Sequence, residues 1–476
     1  MKIPFIGGAY EGKSSNLNAQ TCVNLYPVYD NEEGKNVRAL YGTPGMKQFC
    51  DPSNASPVRN MLKMGDYLYA VVGTSLYRVD SSGNATAMTG SLTTSSGPVW
   101  LSNNGTELMI VDPGVEGYIL SGTTLSAISD TDFPTPSSVT FQDGYFIITQ
   151  DDTDTIWISG LNDGTSWDAL DYAAAEDKPD DATVVISDHE QIWVIGEDST
   201  EVYYNSGNAD FPFERISGGI LECGIYAPNS IAQLDNTLFW LDNFGCVIRI
   251  DGFHRSIIST RQIEYQIAQY STIDDAIGFA YVQEGHSFYV LTFPSVSATW
   301  VYDASTGLWH QRSSYPHVSD GSWNRHRANC YEYFAGKHLI GDCENGKIYE
   351  WDMDTFSDDG NEIRRERASQ SLHGDRRYVF IDKFEVEFEA GTGTAVDDST
   401  IGEGADPQAA LSWSDDGGHT WSNEHWTDIG VIGSYGTRAV WRRLGRSRNR
   451  VFRVLVSDPV KVVMIAAYAK LRQGVS

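Results

Sequence analysis

Between residues 56 and 355, short runs of alternating apolar and polar residues recur, each broken by a Gly, Asn or Asp turn. In 67–80 (YLYAVVGTSLYRVD), Tyr67, Tyr69 and Val71 alternate, then Leu76 and Val79, with Gly73-Thr74 between them. The pattern predicts two strands and a tight turn. The preceding NMLKMGDY predicts another strand, turning at Gly65-Asp66. Similar stretches begin at Leu101, Val139, Val184, Ser230, Ile277 and Asn329. Several close on the same cadence: Tyr77-Arg78-Val79-Asp80, Ile248-Arg249-Ile250-Asp251, Trp300-Val301-Tyr302-Asp303 and Tyr349-Glu350-Trp351-Asp352.

A recurrence every ~40 to 50 residues is the period of a propeller blade. One such unit cannot bury its own apolar face, so neighbours must stack. An open stack leaves strand edges exposed, whereas radial closure leaves only short ones. The expectation is an all-β chain with a β-propeller of six or seven blades; an open series of β-sandwiches is the rival. Helical architectures are excluded because period-2 alternation dominates.

Residues 1–55 lack the blade pattern. Two short apolar phrases, Cys22-Val23-Asn24-Leu25-Tyr26 and Val37-Arg38-Ala39-Leu40-Tyr41, are either strands that close the ring or an arm that reaches a neighbour. Residues 56–355 form the propeller. The acidic stretch 161–183 is expected as a loop with one helical turn, and 313–328 as an inter-blade loop. Residues 356–378 are polar and charged and are expected as a linker. Residues 379–476 are expected as a C-terminal β-sandwich. Its first strand sets Phe384, Val386 and Phe388 against Glu385, Glu387 and Glu389; further strands are expected at 410–413, 439–441, 451–456 and 460–468. The Gly- and Asp-rich 390–408 is an expected loop.

Composition narrows the partners. The 476 residues include 25 Tyr, 13 Trp and 45 Gly, which suits strands and turns. With 64 acidic and 34 basic residues the net charge is -30. That balance argues against tight wrapping of nucleic acid, whose binding rests on Lys and Arg, but not against a passage through which DNA slides. The six cysteines are scattered without a CxxC pair, which predicts free thiols and no zinc site. No apolar run is long enough for a signal peptide or a bilayer span, so no membrane insertion is expected.

Two stretches stand out chemically. Ser414, Asp416, Gly418, Thr420 and Trp421 match the Asp-box pattern S-x-D-x-G-x-T-W. Asp416 is expected to accept turn amides, Gly418 to supply a permissive backbone angle and Trp421 to anchor the hairpin. Asp boxes resemble those of sialidases, but the arginine triad that this resemblance implies is missing from the early blades. The second stretch is basic: Arg438, Arg442, Arg443, Arg446, Arg448, Arg450 and Arg453 crowd together. Arg442, Arg443, Arg446 and Arg448 are the candidate assembly interface, with a phosphate-contacting patch as the alternative. Acidic pairs such as Asp151-Asp152, Asp180-Asp181 and Asp397-Asp398 arise by chance in so acidic a chain. The Asp-rich 272–276 has no EF-hand pattern. HExxH, GxSxG and P-loop motifs are absent. No catalytic residue, cofactor or metal is expected.

The start, NAQTCVNLYPVYD at Asn18 and LYGTPGM at Leu40, and the end, LSWSDDGGHTW at Leu411 and VWRRLGRSRNRVFRVLVSDPVKV at Val440, resemble the tail nozzle (tail hub, or packaged-DNA stabilisation) proteins of short-tailed bacteriophages. The intervening repeats are compatible with that family's β-propeller. The resemblance implies a structural virion protein made in the host cytoplasm. It would form a homo-hexameric ring below the portal and the head-to-tail adaptor, with double-stranded DNA passing through its lumen. It would retain the packaged genome and anchor a tail needle, tailspike or fibre proteins. A carbohydrate-binding or sialidase-like glycoside-hydrolase propeller is the alternative.

Overall fold

The alternating stretches fold into radial sheets whose apolar faces pack blade against blade. The computed structural model describes residues 1–14, 18–29, 38–175, 178, 180–208, 211–315, 323–374 and 377–474. Six blades, at 58–87, 100–127, 136–174, 182–221, 232–257 and 277–311, each take four antiparallel strands from consecutive chain. A seventh is composite: Ala328–Phe334, Lys337–Asp342 and Ile348–Asp352 are completed by Gly45–Cys50 from the N-terminal region. Its innermost strand, Ala328–Phe334, packs on Val58–Met64 of the first blade and closes the ring. The core lies between blades. Tyr69, Val71, Leu108 and Ile110 fill the first junction; Val184, Trp193, Trp240 and Ile248 fill the fourth.

The ring does not end at its rim. Leu308–Gln311, the outer strand of the sixth blade, pairs in parallel with Cys22–Val23. Cys22–Val23 pairs with Arg365–Ala368, and the sheet runs on through Asn449–Val456, Gln408–Ser414 and His425–Asp428. A second sheet, in the order Ala439–Arg442, Val379–Phe388, Val463–Gln473, Arg38–Gly42 and Leu25–Tyr29, packs across it. Phe384 and Phe452 stack between the two at 4.3 Å, with Val386, Leu411, Val454 and Met464 around them. Phe384, Val386 and Phe388 are buried while the intervening glutamates face outward, as the alternation predicts.

Three sequence expectations are corrected. Of the two readings of residues 1–55, ring-closing strands hold for Gly45–Cys50, which completes a blade, whereas Cys22–Val23, Leu25–Tyr29 and Arg38–Gly42 belong to the sandwich sheets and form no separate arm. Residues 356–378 are not a free linker. Arg365–Ala368 is a buried strand held between Cys22–Val23 and Asn449–Val456, and the Arg365 and Arg367 side chains are fully enclosed. The stretch 161–183 carries no helical turn at 163–174. Asp163–Ala174 is the rim strand of the third blade, the longest strand of the chain. Residues 176, 177 and 179 of that stretch, and 316–322 of the 313–328 loop, lie outside the described residues.

Buried guanidinium groups are tolerated where every donor finds an acceptor. Arg367 donates to the carbonyls of Phe5 (2.7 Å), Gly8 (2.8 Å) and Thr21 (3.1 Å) and to Gln20 Oε1 (2.7 Å). Burial pulls its pKa down from the usual arginine range. Asn24 does similar work at the crossing point. Its Nδ2 donates to the carbonyls of Ser313 and Arg364, both at 2.9 Å, and its Oδ1 accepts from the Ser313 amide at 3.0 Å. Its backbone N–H donates to Gln311 at 2.9 Å and its carbonyl accepts from Thr43 at 3.1 Å. With φ of 53° it occupies the left-handed region, which Asn tolerates better than other side-chain-bearing residues.

Asn24 is 1% exposed, so removing its amide leaves the Ser313 amide and two carbonyls unpartnered. Asn24→Ala also adds backbone strain, and together these should cost ~2 to 4 kcal/mol. The check is the urea unfolding midpoint. Asn24→Gly keeps the backbone angle and isolates the hydrogen-bond loss. An Asn24→Ala midpoint equal to that of the wild type contradicts this account.

Candidate functional site

The Asp box turns the chain out of Gln408–Ser414 toward His425–Asp428. Its logic is local. Ser414 Oγ donates to Asp416 Oδ1 at 2.6 Å and accepts from the Gly418 amide at 2.7 Å. Asp416 accepts from the Thr420 amide at 2.9 Å and the Thr420 hydroxyl at 2.6 Å. Gly418 has φ of +103°, and a Cβ there would stand 3.3 Å from that of Ala19. Trp421 does not enter the main core. It is half-buried on a small cluster of Ala19, Ala368 and Val451, with the Arg453 guanidinium 4.1 Å above its ring. The bonds from Ser414 and Thr420 hold the Asp416 carboxyl well below the usual carboxylate range.

The arginine run divides by direction. Arg450 is buried and makes a forked pair with Asp415, Nε at 2.6 Å and Nη2 at 2.7 Å, while Nη1 donates to the Leu444 carbonyl. Arg453 turns toward Ser412 Oγ at 3.0 Å and Glu366 at 3.8 Å. Arg442, Arg443, Arg446 and Arg448 are exposed. Arg446 and Arg448 both lie 4.4 Å from the ring of Tyr378. Arg442 is in register with Lys383, and Lys383 with Lys470, so three cations form a row across three strands. The exposed face of the same sheet holds a groove of about 700 Å³ lined by Lys383, Glu385, Glu387, Arg438, Tyr468 and Lys470. Sequence reasoning located the run but not this row, because the partners lie 59 and 28 residues from Arg442.

A second hollow, about 580 Å³, opens among turns of the fourth to seventh blades, where Tyr331, Tyr333 and His338 face Asp188 and Asp235. Both carboxylates are already engaged, Asp188 with His189 at 2.7 Å and Asp235 with Arg249 at 2.8 Å. Among the described residues no group of three or more His, Cys, Asp or Glu side chains is placed to hold a metal. In the Asp-rich 272–276, Asp275 accepts from the Ser295 amide at 2.7 Å. No helix is long and apolar enough to cross a membrane.

The chain is thus a closed propeller with a sandwich seamed to its rim. Comparison with known families fixes the class. The models for the β-propeller and the β-sandwich of bacteriophage P22 Gp10 match residues 1–356 and 364–472 in turn. The chain is a structural protein of the bacteriophage tail, of the nozzle type. It belongs to the family of bacteriophage P22 Gp10.

No match is found among the curated proteins. Similar solved structures include YCF48 bound to D1 peptide, at 13% identity over 65% of this chain and 98% of that one, with a TM-score of 0.40. PorZ, a surface component of the type-IX secretion system of Porphyromonas gingivalis, gives 10% identity over 71% of this chain and 44% of its own, at a TM-score of 0.37. The computationally designed Ika8 protein gives 12% over 70% and 99%, at 0.38.

A depressed carboxyl stabilises the folded chain above its unfolded pKa, and that contribution fades as pH falls through the folded one. Asp416→Ala should therefore lower the melting temperature at neutral pH. The gap from wild type should narrow below pH ~4, where unfolded carboxylates protonate. A gap that is constant from neutral pH down to strong acid contradicts a role for the ionised Asp416 in holding the turn.

Proposed function

We propose that the chain forms a homo-hexameric ring in the phage tail, below the portal and its adaptor. The ring continues the DNA channel, retains the packaged genome and anchors other tail components. The observation that carries this reading is the match of one family across both the propeller and the sandwich, in order and over nearly the whole chain.

The physics of the chain supports it. Residues 56–355 contain 41 acidic and 13 basic residues, so almost all of the net charge of -30 resides in the blades. A ring of such subunits repels phosphate, and DNA moves past a surface that offers few cationic holds. The Asp box acts as a structural turn, and the role is non-enzymatic. The exposed Arg442, Arg443, Arg446 and Arg448 support assembly with protein neighbours.

Imaging of intact tails should show six copies of the chain in a ring coaxial with the DNA, and particles made without the chain should lose their genome. The purified chain should bind duplex DNA weakly at physiological salt and lose even that as salt rises. Tight binding that Arg442→Glu/Arg443→Glu abolishes makes the run a nucleic-acid contact and overturns its assembly role.

A further inference from the structure

The two ends of the molecule carry complementary, uncompensated surfaces. The sandwich is seamed to the sixth blade through Cys22–Val23, and Tyr26 and Val28 of its second sheet pack where the sixth and seventh blades meet. Blades follow in chain order around a seven-membered ring, so the third blade lies across the axis from that seam. Its rim strand, Asp163–Ala174, is unusual. It has 12 residues, against 3 to 9 for the rim strands of the other blades. As the last strand of its sheet it leaves one backbone edge unpaired by any described strand. It also exposes large apolar side chains, Leu170 at 81% and Tyr172 at 46%, with Leu161 at 62% just before it. Asp163 and Asp168 flank these; both are exposed, and neither carboxylate meets a cation among the described residues. They accept only local turn bonds, from Thr165 and Leu170 respectively.

At the opposite end, Arg442, Arg443, Arg446 and Arg448 are exposed and form no ion pair among the described residues. We propose that this arginine edge seats against the Asp163–Ala174 rim of a second copy of the chain, with Leu170 and Tyr172 covered in the contact. The proposal rests on the assembly role of the arginine run and names its partner surface. Opposed, non-identical patches on one chain give a heterologous contact, which builds rings when its rotation closes. The contact also answers an electrostatic need. Blades this acidic repel one another side by side, and the arginine edge places cations between neighbouring propellers. Tyr378, held between Arg446 and Arg448, keeps the arginines ordered before contact, which lowers the entropy lost on binding.

Sedimentation velocity of the full chain at low salt tests the contact. The wild type should self-associate with rising concentration, less so in high salt. Arg446→Glu/Arg448→Glu and Asp163→Lys/Asp168→Lys should each raise the half-association concentration by about tenfold or more. An equimolar mixture of the two variants should associate again, since each altered surface meets its complement. Leu170→Ser should weaken association and leave the monomer's melting temperature unchanged, because that side chain touches solvent. If the Asp163→Lys/Asp168→Lys chain associates like wild type while the arginine variant does not, the rim is not the partner, although the arginine run still serves assembly. If both variants associate like wild type, both readings fall. A wild type that stays monomeric at every concentration, or a mixture that does not recover, overturns the proposed contact.

Discussion

The structure depends on one crossing: residues 22 to 24 pass between propeller and sandwich and bond to both. Among the described residues Cys22–Val23 is the strand that links the sixth blade to Arg365–Ala368, so the two domains share a continuous sheet through it. A sheet that passes from one domain to another would strand backbone donors at the change of direction. Asn24 resolves this by turning the chain with a positive φ and using its own amide to satisfy both sides. Arg367 fills the space behind the crossing and gathers the carbonyls of the first residues. Ring closure follows from the same segment, since Gly45–Cys50 reaches the seventh blade only after the chain has been placed in the sandwich by Leu25–Tyr29 and Arg38–Gly42.

This explains what was legible in the residues and what was not. The blades were legible because short apolar runs, several of them buried on both faces as in Leu108–Asp112 and Thr237–Leu241, are set off by turns rich in Gly, Asn and Asp. The ring-closing strand was not, because GMKQFC buries Gly45, Met46 and Cys50 but exposes Lys47 and Gln48, a pattern with no clean period. The stretch IRRERA read as solvated because charge is normally exposed. There, the buried Arg367 finds its carbonyl acceptors in residues more than 300 positions away, which no local pattern encodes. Asp163–Ala174 was misread for a related reason. Its Asp and Ala residues have low strand propensity, and it is a strand because it pairs with Thr155–Gly160.

Charge is segregated in the folded chain much as it is along the sequence. The blades hold the acidic excess, while the sandwich edge displays cations in an ordered row. Segregation of this kind combines self-repulsion with a directional surface charge. A uniform charge would supply the first without the second.

The two specific signals at the C-terminus are parts of one device. Asp415, inside the Asp box, receives the forked pair from Arg450, inside the arginine run. Arg450 also lies 5.1 Å from the Trp413 ring and donates to the Leu444 carbonyl, so it braces the turn 443–445 from beneath. Asn449–Val456 sends Arg450 inward, while Arg446, in the short strand Arg446–Ser447, and Arg448 just after it stay outside. The box fixes Asp415, Asp415 fixes Arg450, and Arg450 supports the backbone that presents the exposed arginines. The motif thus acts at a distance, by bracing the backbone that carries the basic surface.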